Sequence, residues 1–246
     1  MNKEEIRKSL DPRFFLGICH RGYHNKDDIE NGIRAFENAI KNDMAIEFDI
    51  HLTKDNQLVV IHDSSLKRVT SKEGIVEDLT VEELQNNYKL NDGETIPTFK
   101  EVLELVDEKV PLVIELKVYK GNYKALAKRL EVELKNIKDK SKYVLISFDP
   151  RALVASKKIG LIRQLLIDAD GKHSYVYAVR NFFEGVDMHY KDVEKKKVQR
   201  YYKKHMVNIW TVEDENVVDS TLSYVDMITF QNIDCNYVRD KMKNKK

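Results

Sequence analysis

The feature that most constrains this chain is an alternation that runs nearly from end to end. Short apolar, β-branched runs alternate with longer charged segments whose apolar residues recur at three- and four-residue steps. The short runs fall at residues 14–19, 44–50, 110–115, 143–147, 161–167, 185–188, 206–211 and 225–229. The helix-period segments between them include residues 30–41, 99–108, 123–138, 150–158 and 191–204. Side chains repeat every 2.0 residues along a strand and every 3.6 along a helix, so the two patterns predict strands and helices respectively. Strands joined through helices pair in parallel, because each helix carries the chain back to where the next strand begins. Eight such units in 246 residues predict an α/β fold, a closed (β/α)8 TIM barrel spanning residues 1–246 as one domain. An open doubly wound sheet is the rival, and the lack of Gly-x-Gly-x-x-Gly after the first run weakens it.

Two places break the alternation. The second run is followed not by a helix but by Thr53-Lys54-Asp55-Asn56-Gln57 and another apolar run, Leu58-Val59-Val60-Ile61-His62. Asp-Asn tolerates positive φ, which predicts a two-residue hairpin turn centred between Asp55 and Asn56. That register opposes Lys54 to Gln57, His51 to Val60 and Asp49 to His62. Glu47 and Asp49 then share a face, with His62 beside them. The second break, residues 63–97, is too long for an ordinary connection. It carries a helical pattern at residues 81–87 and enough Leu, Ile and Val to fold as a small insertion on the barrel rim.

Composition narrows the function. With 42 basic and 41 acidic residues the chain is no general polyanion binder, so no nucleic-acid partner is expected. No apolar run is long enough to span a bilayer, so no stable membrane insertion is expected. Residues 1–10 carry no hydrophobic signal core, and two distant cysteines, Cys19 and Cys235, suit a reducing cytoplasm. Lysine runs at 195–197 and 243–246 read as solvated faces. Tyr175, Tyr177, Tyr201 and Tyr202 read as packing residues, and Cys19 as a small buried residue.

In the first three apolar runs the strongly polar residues fall toward or just beyond the carboxyl end, the end where barrel enzymes place their chemistry. His20 and Arg21 end the first run, Glu47 and Asp49 lie late in the second, Glu115 and Lys117 end the third, and Trp210 lies late in a later one. Three carboxylates, Glu47, Asp49 and Glu115, resist burial together unless a cation neutralises them. An all-oxygen set suits Mg2+ or Ca2+. Composition alone leaves a salt-bridge network with Arg21 and Lys117 as the equal alternative; the hairpin and the two flanking histidines favour the metal. His20 and His62 are candidate acid–base groups, whereas His24, His51, His173, His189 and His205 read as structural. Arg21 and Lys117 beside a cation point to an anionic substrate such as a phosphate.

These residues resemble a known family. His20-Arg21-Gly22, Glu30-Asn31, Ala35-Phe36, Glu47-x-Asp49, Thr53-Lys54-Asp55 and Val60-x-His62-Asp63 are similar to motifs of the glycerophosphodiester phosphodiesterases. The likeness continues in order through Ile96-Pro97-Thr98-Phe99, Ile114-Glu115-Leu116-Lys117, Ser147-Phe148, Ile209-Trp210-Thr211-Val212 and Asp226-x-Ile228-Thr229. The resemblance implies a TIM barrel with a small insertion after the second strand. It also implies hydrolysis of glycerophosphodiesters, such as glycerophosphocholine or glycerophosphoethanolamine, to glycerol 3-phosphate and an alcohol. By position it makes Glu47, Asp49 and Glu115 the metal ligands, with Mg2+ or Ca2+ as the ion, and His20 and His62 the acid–base pair. Arg21 and Lys117 become phosphate contacts, and Trp210 is assigned to substrate binding. Relatives acting on acylated lipids, lysophospholipase D-like or sphingomyelinase D-like, are the alternative.

The chain departs from the family pattern twice. It reads Ile29-Glu30-Asn31-Gly32 where the family has Pro-Glu-Asn-Thr. It also reads Thr229-Phe230-Gln231 where the family has Thr-Asp ahead of a proline. The first change keeps the carboxylate; the second falls on the rim of the substrate pocket.

Overall fold

A computed structural model describes residues 1–168 and 179–245, without the side chain of Lys197. The strands are β1 (Ile18–Cys19), β2 (Ala45–Leu52), β3 (Leu58–Val60), β4 (Leu112–Leu116), β5 (Tyr143–Ser147), β6 (Ile162–Ile167), β7 (Gly185–His189), β8 (Met206–Val212) and β9 (Met227–Phe230). Eight of them run parallel in the order β1-β2-β4-β5-β6-β7-β8-β9, and β9 pairs with β1 to close the barrel. β3 is an extra strand, antiparallel to the end of β2. Helices start directly after the rim because the sequence places caps there. Thr98 and Glu101 form a reciprocal capping box before Phe99–Val106, and Asp149 caps Pro150–Ala155. The expectations for His173, Tyr175 and Tyr177 lie outside the described residues.

The wall alternates, except for a register irregularity between Ile209 and Val212 of β8. Ile18, Ala45, Val113, Val144, Ile146, Leu166, Met206 and Met227 form one buried cluster inside the barrel. The layer between strands and helices holds Phe36, Phe48, Phe99, Leu145 and Ile209. Ile6 and Leu10 of the amino-terminal segment, with Phe14 and Phe15, join the inner cluster and plug the bottom. Residues two positions beyond the inner apolar ones therefore point inward near the top, since side chains alternate along a strand. Those residues are His20, Glu47, Glu115, Asn208 and Thr229.

The first run is shorter than expected as a strand. Asp11 accepts from the Arg13 amide at 2.9 Å, Pro12 starts a 3-10 turn over Pro12–Leu16, and only Ile18–Cys19 is extended. The intervening Gly17 has φ +114°, a conformation closed to side-chain-bearing residues, which ends the turn and releases the strand.

The hairpin register is offset by one residue from the expected pairing. His51 stands opposite Val59 and Ile50 opposite Val60. The cause is the turn. Thr53 N–H donates to Gln57 O at 2.9 Å, and Thr53 Oγ1 accepts from Gln57 N at 3.0 Å, so the loop holds three residues, with Asn56 left-handed at φ +57°. Asp49 thus faces Ile61, whose amide it holds at 3.1 Å, and not His62. Continued as a strand, this register would carry His62 to the other face. The ladder stops at Val60, however, and the chain is free to turn His62 back over the barrel mouth.

Residues 63–97 fold on the rim as expected. Leu66, Val69, Val76, Leu84, Leu90 and Ile96 pack with Val59 and Ile61 into a separate small core. His51 ties this unit to the barrel: Nε2–H donates to the carbonyl of His62 at 3.0 Å, and Nδ1 lies 2.6 Å from Glu77 Oε1.

Candidate active site

His20 leaves β1 with its amide donating to Phe230 O at 2.9 Å, so β9 holds its backbone. The next two residues make a tight turn. Arg21 has φ +53° and Gly22 φ +86°, and a Cβ on Gly22 would lie 2.9 Å from the Ala35 methyl. The turn aims the Arg21 amide at Glu47 Oε2 (3.1 Å) and its guanidinium at Glu30 Oε1 (2.7 Å) and Asp49 Oδ2 (3.5 Å). Glu30 is also gripped by Arg68 at 2.7 and 2.9 Å. Burial works against its charge, but Arg68 and Arg21 outweigh it and hold the carboxyl down at about 2.

Glu47 and Asp49 on β2 and Glu115 on β4 each direct an oxygen into a common space, the three atoms lying within 4.8 Å of one another. The parallel register makes this possible, because Asp49 stands opposite Glu115. All three side chains are buried. Lys117 Nζ reaches Glu115 Oε1 at 2.9 Å and Asp49 Oδ1 at 3.2 Å, while Asn31 Nδ2 donates to Asp49 Oδ2 at 3.0 Å.

The electrostatics of the trio are unequal. Burial pushes Glu47 well up, and Asp49 and Glu115 push it further. Burial also dominates at Glu115, raising it to about 7 against the pull of Lys117. Asp49 is desolvated as well, yet Lys117, His62 and Arg21 hold it well below the usual carboxylate range. Two cations, Arg21 and Lys117, face three buried carboxylates, and the single Lys117 ammonium is shared between Asp49 Oδ1 and Glu115 Oε1. A compact set of buried, under-neutralised oxygens is the donor chemistry of a hard divalent cation, so these residues fit such an ion.

His20 and His62 line one cavity of about 70 Å3 with Arg21, Glu47 and Glu115. His20 Nε2 is 3.9 Å from Glu47 Oε2. Burial, reinforced by the Arg21 charge, pushes His20 down to about 3. His62 is lowered too, chiefly by burial, and its Nδ1 lies 2.7 Å from Asp63 Oδ1. The small cavity adjoins a wider cleft of about 430 Å3, with His62, Glu115 and Phe148 common to both.

The opposite wall is apolar and neutral-polar. Trp210 packs edge-on against Phe148 and His189, with ring centroids 5.5 and 5.4 Å apart, and its indole N–H donates to Asp187 O at 3.1 Å. Below it, Asn208 donates to Asp187 Oδ2 at 2.9 Å and Thr229 Oγ1 at 2.8 Å. Burial pushes Asp187 up to about 7.

All eight sequence-nominated residues, His20, Arg21, Glu47, Asp49, His62, Glu115, Lys117 and Trp210, thus surround one barrel mouth. Sequence reasoning passed over Asn31, Phe148 and Asp187. Asn31 and Phe148 lie within quoted motifs but carry no distinctive chemistry alone; a carboxylate inside a short apolar strand was the available signal for Asp187.

Comparison with known proteins bears on the fold and the family. A Caldanaerobacter subterraneus subsp. tengcongensis protein named glycerophosphodiester phosphodiesterase is 37% identical over 163 residues, covering 61% of this chain and 67% of that one. The chain therefore spans about two thirds of that relative's length. The crystal structure of a glycerophosphodiester phosphodiesterase from Parabacteroides distasonis matches with a TM-score of 0.74 at 26% identity, covering 92% of this chain and 94% of that one. An Oleispira antarctica phosphodiesterase, solved in complex with the product sn-glycerol-3-phosphate, shares the fold with a TM-score of 0.78 at 22% identity, covering 92% and 94%. Residues 20–235 match the model of the glycerophosphoryl diester phosphodiesterase family, phosphoric diester hydrolases by name, and the chain belongs to that family.

Proposed function

We propose that this chain, as a single catalytic domain, hydrolyses glycerophosphodiesters such as glycerophosphocholine or glycerophosphoethanolamine to glycerol 3-phosphate and the free alcohol. The observation that carries the reading is a cluster at one barrel mouth: the carboxylates Glu47, Asp49 and Glu115 within reach of one another, Lys117 paired with two of them, and His20, His62 and Arg21 lining the adjoining cavity. The product held by the Oleispira antarctica neighbour is consistent with it.

Glu47, Asp49 and Glu115 would hold Mg2+ or Ca2+, which when bound would neutralise the trio and draw charge from the phosphoryl oxygens. Arg21 and Lys117, both fixed by carboxylates, offer the remaining positive charge to a phosphate. One imidazole takes the proton from the attacking hydroxyl. The other gives a proton to the alkoxide that departs as the phosphorus–oxygen bond to the alcohol breaks. Direct attack by water and attack by the glycerol 2-hydroxyl through a cyclic phosphate both use this pair. Trp210 and Phe148 supply an apolar wall for the glycerol carbons, and the wider cleft leaves room for the alcohol. Two buried free thiols, Cys19 and Cys235, suit a cytoplasmic setting.

The test is release of glycerol 3-phosphate from a panel of glycerophosphodiesters, with lysophosphatidylcholine as the acylated control. The expected result is release that a chelator abolishes and added Mg2+ or Ca2+ restores. Activity indifferent to chelator overturns the cation assignment, and a preference for the acylated lipid overturns the substrate class.

A further inference from the structure

His20 and His62 differ in what holds them from behind. Asp63 backs His62, as expected of an acid–base histidine. His20 Nδ1 instead lies 2.5 Å from Oε1 of Gln231, a residue at the point where the chain departs from its family's pattern. Two backbone contacts put the pair together. The His20 amide donates to Phe230 O at 2.9 Å, and the Gln231 amide donates to Val212 O at 3.0 Å. The second contact sets Gln231, which follows β9, beside Glu213, which follows β8. The Gln231 side-chain amide donates to Glu213 Oε1.

That last contact decides which way the amide faces. A carboxylate only accepts hydrogen bonds, so it takes the NH2 side of Gln231 and turns the carbonyl oxygen toward His20. A flipped amide would set oxygen against oxygen at Glu213 and N–H against the ring of His20. His24 Nε2, 3.4 Å from the same oxygen, is a second nitrogen on the carbonyl side. A carbonyl accepts in turn, so the proton of a neutral His20 sits on Nδ1 and Nε2 carries its lone pair. Nε2 is the nitrogen on the Glu47 side of the ring.

We propose that Gln231, its amide oriented by Glu213, is a positioning residue that holds His20 in the Nδ1–H tautomer and keeps Nε2 bare toward the cavity. In the mechanism above, on which this inference rests, His20 is then ready to accept a proton and need not first rearrange. An imidazole without such a partner is free to carry its proton on Nε2, where it blocks that role. The order Glu213, Gln231, His20 does with an amide and a remote carboxylate what a direct carboxylate partner does elsewhere, and it places no additional negative charge next to the acidic trio.

The experiment is long-range 1H–15N correlation NMR on the metal-free full chain at neutral pH, with the His20 signals assigned by their loss in His20→Ala. The expected spectrum is the Nδ1–H pattern in the parent and a shift toward Nε2–H in Gln231→Leu. In the cation-loaded enzyme, Gln231→Leu is expected to lower kcat by about 10- to 100-fold, the order found when the outer partner of a metal-site histidine is removed, with KM little changed. The exchange variant Glu213→Gln/Gln231→Glu keeps an acceptor at His20 and a donor behind it, and should recover most of the lost kcat. An Nε2–H parent, or a Gln231→Leu spectrum identical to the parent, overturns the proposal whatever the activity. Full activity in His20→Ala overturns the proton-transfer reading instead and leaves the tautomer result standing.

Discussion

The two sides of the barrel mouth are built from opposite materials. On the side of β1, β2 and β4, nearly every group is ionisable and most are paired: Arg21 with Glu30 and Asp49, Lys117 with Asp49 and Glu115, Glu30 with Arg68. On the side of β5 to β9, the lining is Ile146, Phe148, Leu166, Trp210 and Thr229, with Asp187 as its buried carboxyl. No cation among the described residues pairs with Asp187, whose hydrogen-bond partner is the neutral Asn208. The charged side is a dense network of paired ions; the other side presents shape and a few neutral dipoles. Chemistry should therefore fail when the first side is altered, and substrate fit or stability when the second is.

The largest effect tests that division directly. His20→Ala and His62→Ala should each lower turnover by ~10^2 or more, the usual contribution of a lost acid or base. Both should keep the parent's circular dichroism spectrum, since neither side chain belongs to the apolar clusters. Near-parental rates in both would erase the distinction between the two sides. Trp210→Ala should act through binding, raising KM by about tenfold, or about 1.4 kcal/mol, with a smaller change in kcat. A kcat loss as deep as that of the histidine variants would move Trp210 into the chemistry.

The smallest effect concerns stability and pH. Asp187 is pushed up to about 7 in the fold from an ordinary value of 3.8. Between those values the native state binds the proton that the unfolded state has released, so stability falls as pH rises through this window. Asp187→Asn removes that loss. Its Tm should match the parent near pH 4 and exceed it by about 4 °C or more at pH 8, read by calorimetry at both pH values. A gap that narrows with rising pH would contradict the burial argument.

The charged side was the more legible one in the sequence. Glu47, Asp49 and Glu115 interrupt apolar runs, and such an interruption is costly unless it has a use, so each one signals itself. Trp210 was visible for its size. Phe148, Asn31 and Gln231 were not, because an aromatic, an amide or a glutamine at a loop is ordinary until its neighbour is known. The hairpin shows the same limit. It was expected to bring His62 to Asp49 by direct opposition, but Thr53 closes a three-residue turn and shifts the register by one. His62 still reaches the cavity, because the ladder ends two residues before it.

The alternation of periods along the chain was enough by itself to determine eight parallel strands joined through helices, the break in that pattern that becomes the rim insertion, and the shared face of Glu47 and Asp49. All of these follow from local repeats and the geometry of the peptide backbone. Tertiary structure alone decided which groups stand behind which: Gln231 and Glu213 behind His20, Asn31 and Lys117 around Asp49, Asn208 against Asp187. These partners come from separate strands and loops. Their meeting depends on barrel closure and register, which no local pattern encodes.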